Sequence, residues 1–151
     1  MDTKLFHRIV VPADFSSCSE EAWALAQRVA ESLGSAMVLV HVFAALHPYG
    51  DVPLGHEDAT GQAIESARKW VSEELEKMVA RARARGLKAR TVLRNGVPHQ
   101  EIVQLAADER ADIVIMGTHG RSGLSRVLLG SVAERVIHFA PCPVLTVRKP
   151  D

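Results

Sequence analysis

Residues 111–132 read ADIVIMGTHGRSGLSRVLLGSV. The first six, Ala111 to Met116, read as a strand built on the apolar run Ile113-Val114-Ile115. From Gly117 the character changes. Between Met116 and Val132 stand four glycines, three serines, two arginines and one histidine, with apolar residues only in the middle. From Ser131 to Phe139 the apolar spacing is that of a helix. A buried strand that leaves through glycine and hydroxyl, then re-enters as a helix, is half of a strand–helix–strand unit. The same alternation runs through the rest of the chain.

Toward the N-terminus, Asn95-Gly96 reads as a turn, and Pro98 is placed to open a helix ending near Asp108. Lys88 to Arg94 alternates and reads as a strand with one face partly exposed. Gln62 to Arg85 is a long helix with Ile64, Ala67, Val71, Leu75, Met78 and Ala82 as its buried stripe, stopped by Gly86. Arg81, Arg83 and Arg85 sit where the helix dipole favours cations, and read as a solvated face. Phe43 to Gly61 holds Pro48, Gly50, Pro53, Gly55 and Gly61, too many breakers for a regular element. Ala36 to Val42 is a strand. Cys18, Ala22, Leu25, Ala26, Val29 and Leu33 trace a helix face that ends at Gly34, with Ser17 and Glu20 fitting a capping box. Arg8 to Pro12, apolar on both faces, suits a central parallel strand. Pro143 to Arg148 is the last strand. The order β-α-β-α-β-α-β-α-β implies an α/β, doubly wound fold: a parallel sheet with helices on both faces. Such folds bind ligands at the carboxyl ends of the strands, near a topological switch point.

The 151 residues suffice for one domain with a substantial core. Basic and acidic side chains balance at 18 each, so no global field draws nucleic acid or an anionic membrane. No apolar run approaches the roughly 20 residues of a membrane span. The opening MDTKLFHRIVVPADF enters a strand pattern without a signal-peptide core. Cys18 and Cys142 lie far apart and form no CxxC pair, so a reducing, cytoplasmic home is expected, and both read as structural.

Gly117, Gly120, Gly130 and Ser131 are spaced as G-x-x-G-x9-G-S, with Gly123 between. Glycines allow positive φ and let backbone N–H groups approach an anion without a Cβ in the way. Ser131 opens a helix, so amides and the positive dipole end point at whatever lies there. Arg121 and Arg126 bring charge to the same neighbourhood. The plainer alternative is that Ser131 to Glu134 forms a capping box and the glycines mark turns. The pattern is neither a Walker A loop nor the dinucleotide GxGxxG.

Gly117-Thr118-His119-Gly120 through Gly130-Ser131 resembles the ATP-binding signature of the universal stress proteins. So do Ile9-Val10-Val11-Pro12-Ala13-Asp14-Phe15-Ser16, Leu39-Val40-His41-Val42 and the closing Pro141 to Val147. The resemblance spans nearly the whole chain in order. It implies one Rossmann-like domain over residues 1–151, a sheet of order 3-2-1-4-5 and a homodimer. Because the glycine motif is complete, it implies the branch of the family that binds ATP. Carried over residue by residue, it sets Pro12, Ala13, Asp14 and Val42 around adenine and ribose. Met116, Gly117, Thr118, His119, Gly120, Arg121, Ser122 and Gly123 follow along the ribose-to-phosphate loop. Gly130, Ser131, Val132 and Ala133 match the phosphate-binding helix start. In that sheet order Val144 to Val147 is an edge strand, covered either by its copy across a two-fold axis or by a loop of its own chain.

Asp14 can accept from a ribose hydroxyl or the adenine amino group, or can satisfy local N–H groups at a helix entry. His119 can donate to a phosphate or act as a general base. No second catalytic group is identifiable, so no residue is assigned a catalytic role. His41 reads as a packed core histidine. His47, Asp51, His56, Glu57 and Asp58 share the irregular segment in a spacing that fits no metal pattern. The expectation is an ATP-binding protein of the stress-response class, with at most slow hydrolysis. The ligand is ATP, alone or with Mg²⁺, or else AMP or ADP. The rivals are a nucleotide-dependent hydrolase or adenylyl transferase on a related fold, and a dimeric scaffold with an empty pocket.

Overall fold

Successive side chains along a strand point to opposite faces, so a strand apolar at every position must be covered on both. The computed structural model, which describes residues 5–44, 60–120 and 128–149, shows that arrangement. Its elements are β1 (Arg8–Pro12), α1 (Ser17–Leu33), β2 (Ala36–Ala44), α2 (Thr60–Ala84), β3 (Lys88–Gly96), α3 (Pro98–Asp108), β4 (Ile113–Gly117), α4 (Ser131–Phe139) and β5 (Val144–Val147). All strand pairs are parallel and the order is β3-β2-β1-β4-β5. This is the Rossmann-like order implied by the resemblance. Odd-numbered strand residues, among them Ile9, Val11, Leu39 and Ile115, share a core with α1 and α2. Even-numbered ones, among them Val10, Val40, Val114 and Met116, share the other core with α3 and α4. The strand order reverses between β1 and β4, which makes the carboxyl ends of those strands the switch point.

Several boundaries differ from the sequence reading. The N-cap of α1 is Ser16, whose hydroxyl accepts the Ser19 amide at 3.2 Å. Ser19 therefore takes the third helical position, and the expected Ser17–Glu20 box does not form. Asn95 and Gly96 do not turn. They extend β3 opposite Phe43 and Ala44, because β2 runs on far enough to pair them. On α2 the buried positions begin at Val71 and include Val79 in place of Met78, while Ile64 is 39% exposed and Ala67 is exposed. The core cluster takes α2 residues only from Val71 onward. β4 begins at Ile113, after Asp112, whose carboxylate accepts the amides of His7 at 2.8 Å and Arg8 at 2.9 Å. The arginines closing α2 are more than solvated. Arg83 donates to the Ala89 carbonyl, and Arg85 meets Gln27 and Glu31. Among the described residues no helix is long and apolar enough to cross a membrane.

Candidate functional site

The carboxyl ends of β1, β2 and β4 enclose a cavity of about 820 Å³, within the usual range for a small-ligand site, about 300–1,000 Å³. One wall is the turn after β1. Ala13 donates its amide to the Val40 carbonyl at 2.7 Å, and the Asp14 amide reaches Ser19 Oγ at 3.2 Å. Asp14 Oδ1 accepts the Ser16 amide at 2.9 Å. Asp14 Oδ2 faces Gly120, where an added Cβ would stand 2.8 Å from it. One carboxylate oxygen thus holds the turn while Asp14 also lines the cavity. Phe15 completes the turn in the left-handed region at φ 63.

β2 supplies the next wall. His41 Nδ1 lies 2.7 Å from the Ala13 carbonyl, and its ring packs against Phe15 and Phe43. His41 is packed as expected, yet it lines the cavity beside Val40, Val42 and Ala44.

The third wall is the exit from β4. Thr118 is buried and donates its amide to the Val147 carbonyl at 3.0 Å. His119 Nδ1 lies 3.0 Å from Thr118 Oγ1, and Nε2 meets the Leu128 carbonyl. The ring thus lies between Thr118 and the Leu128 carbonyl.

The fourth wall is the start of α4. Gly130 is its N-cap, extended at φ −62 and ψ 149, and no side chain caps the helix. The alternative of a Ser131–Glu134 capping box is not what forms, because Ser131 is already the first helical residue. Glu134 donates to the Gly130 carbonyl at 2.9 Å. The amides of Ser131, Val132 and Ala133 precede that first bond and have no acceptor within the helix. They belong to the same cavity as Asp14 and Val42. The positive end of the helix dipole faces it too.

The glycines serve a different purpose from the one expected. Among the described residues the positive-φ glycines are Gly34, Gly86 and Gly96, none of them in this cavity wall. Gly117 and Gly130 are instead required by close approach. A Cβ on Gly117 would stand 2.8 Å from the backbone carbon of Cys18, and one on Gly130 2.8 Å from the Thr118 carbonyl oxygen.

Every expected site residue that is described lines this cavity: Pro12, Ala13, Asp14 and Val42 on one side, Met116 through Gly120 and Gly130 through Ala133 on the other. Arg121, Ser122 and Gly123 lie outside the described residues, as does the segment 45–59 with His47, Asp51, His56, Glu57 and Asp58. Sequence reasoning missed Ser19, Val40, His41, Ala44, Pro98 and Ile102 as lining residues. Pro98 opens α3 at this end of the sheet, the one available signal. Among the described residues no group of three or more His, Cys, Asp or Glu could hold a metal. Both cysteines are free and half-buried. Burial pushes the Cys142 thiol up, the Asp112 carboxylate adds to the rise, and a hydrogen bond with the Val114 backbone opposes it.

The universal stress protein family profile matches residues 5–148. The chain belongs to the universal stress protein family. This universal stress protein is 39% identical, over 97% of its length and 84% of the relative's, to universal stress protein MJ0531 of Methanocaldococcus jannaschii. The solved structure of MJ0577 from the same organism matches with a TM-score of 0.83 at 29% identity, covering 97% of this chain and 99% of that one. The universal stress protein of Archaeoglobus fulgidus solved in complex with dAMP matches with a TM-score of 0.63 at 25% identity, covering 95% of this chain and 98% of that one.

Proposed function

We propose that this protein binds an adenine nucleotide, ATP foremost, in the cavity at the carboxyl end of the sheet. It does so as a single-domain, cytoplasmic homodimer whose conformation or partner binding responds to the ligand. The observation that carries this reading is the uncapped start of α4. The Ser131 to Ala133 amides and the helix dipole address the cavity from one side, and Asp14 and Val42 line the other. The phosphates belong at Gly130 to Ala133 and along Gly117 to Gly120. The base and ribose belong against Pro12, Ala13, Asp14 and Val42, with Met116 beneath. Arg121, Ser122 and Gly123 enter by family resemblance alone. The dAMP bound by the Archaeoglobus fulgidus relative supports the adenine nucleotide class. A Mg²⁺ ion would arrive on the phosphates, as that ion usually does.

His119 Nδ1 lies 3.0 Å from Thr118 Oγ1, and among the described residues no carboxylate is bonded to that ring to orient it as a general base. Slow hydrolysis at most follows. Homodimerisation is supported by the position of β5 at the sheet edge, with Leu145 40% exposed on it.

The test is calorimetric titration of nucleotide-stripped protein with ATP, ADP, AMP and GTP, beside a Ser131→Glu variant. A carboxylate at the first helical position stabilises the helix start but repels phosphate. The variant should therefore bind ATP at least about tenfold more weakly, or about 1.4 kcal/mol, without a lower melting temperature. A wild-type protein that binds no adenine nucleotide would end the reading. Undiminished binding by the variant would move the phosphates away from α4. Turnover in the ordinary enzymic range, about 1–10³ s⁻¹, would favour a nucleotide-dependent hydrolase or transferase instead.

A further inference from the structure

At the opposite end of the sheet lies a second cleft, of about 440 Å³. It owes nothing to the nucleotide reading. Its floor is Ala36, Met37 and Val38 at the start of β2, with Leu87 and Ala89 beside them. Its rim carries Arg8 of β1, Arg83 of α2, and Lys88 and Arg90 of β3. Residues 81–90, RARARGLKAR, hold five basic side chains and no acidic one, in a chain whose charges balance overall at 18 each. The sheet register brings the distant Arg8 to this run. Ala36 pairs with Arg8 on one side and with Lys88 on the other, and Val38 pairs with Arg90.

The acidic side chain lining the cleft is Glu109. Its carboxylate pairs with Arg90, and its carbonyl accepts from Arg8. Arg83 uses its Nε on the Ala89 carbonyl at 2.8 Å, and one of its terminal nitrogens lies 3.8 Å from Glu76. Four cations thus line the cleft; Arg8, Arg83 and Arg90 have partners in Glu109, Glu76 or backbone carbonyls, and Lys88 has no ion pair among the described residues. Like charges gathered in one concavity repel each other and raise the local concentration of anions. Guanidinium forks match planar and tetrahedral oxyanions with paired donors.

We propose that this cleft binds a compact multivalent oxyanion, of phosphate or polycarboxylate type, and that Glu109 holds its place until it arrives. Small size follows from the cleft's volume, and multivalency from the number of cationic residues that line it.

The test is an amide-resolved NMR titration of the whole chain with pyrophosphate and, separately, citrate. It is run on the wild type and on Ser131→Glu, in which the α4 end repels anions. Saturable shifts are expected at Arg8, Ala36, Lys88, Ala89 and Arg90 in both proteins, whatever happens at Ser131. Pyrophosphate acting alone would identify a phosphate site, and citrate alone a carboxylate site. Lys88→Ala should weaken binding about two- to fivefold, the size expected of a half-exposed charge pair. Glu109→Gln should tighten it by a similar factor, because it frees Arg90. Neither should alter binding of adenine nucleotide at the other end of the sheet. Shifts that grow without saturating, or an affinity indifferent to both substitutions, would overturn the proposal.

Discussion

At Gly117 a Cβ would meet backbone of α1, whereas at Gly120 it would meet only the carboxylate of Asp14, an end that can turn aside. The two glycines look alike in the motif but should fail differently. Gly117→Ala should lower stability by about 1–3 kcal/mol, the usual cost of overpacking, and lose ligand binding only as the fold is lost. Gly120→Ala should unfold near the wild-type denaturant midpoint and still bind adenine nucleotide more weakly, because it displaces Asp14. Chemical denaturation beside calorimetry separates the two. At this scale the sequence was legible in composition but not in role. The cap of α1 was misplaced by one residue, Ser17 for Ser16, because both are good capping residues, whereas α4 begins at Ser131 as read. The glycines drew attention through their conformational freedom, yet their positions are dictated by atoms more than ten residues away in sequence, which no local pattern displays.

Among elements, strands were read best. A strand covered on both faces must be apolar at consecutive positions, and β1, β2 and β4 declare this without ambiguity. Helix α2 was read less well. Periodicity reports which residues share a face but not how much of the helix the sheet covers, so Ile64 and Leu75 looked equivalent. The fold distinguishes them, with Leu75 fully buried and Ile64 39% exposed. Leu75→Ala should cost about 2–5 kcal/mol. Ile64→Ala should stay within about 0.5 kcal/mol, as exposed substitutions do. Urea unfolding followed by circular dichroism measures both, and equal losses would mean that the early turns of α2 are covered in solution. The extension of β3 through Asn95-Gly96 has a similar cause. A turn-forming pair continues a strand when the neighbouring strand is long enough to pair it.

For the whole molecule, the alternation of elements was enough to place the candidate site at the ends of β1, β2 and β4, because parallel connectivity leaves one switch point. It was not enough to find Ser19 of α1 or Pro98 and Ile102 of α3, since which helix residues reach the cavity is set by tertiary packing rather than by any local signal. Assembly belongs to this scale as well. β5 is a four-residue strand with one side unpaired in the sheet. If two copies join there, Leu145→Lys should halve the mass seen by light scattering while leaving the melting of the single chain little changed. An unaltered mass would place the contact elsewhere. The 2.7 Å bond from the Gly130 amide to the Thr118 carbonyl carries one more implication. It brings together the two ends of the segment that separates β4 from α4, so the fold is already fastened on either side of it. A backbone cut between residues 120 and 128 should therefore leave the end of β4 and the start of α4 held together, which limited proteolysis followed by a melting curve would show.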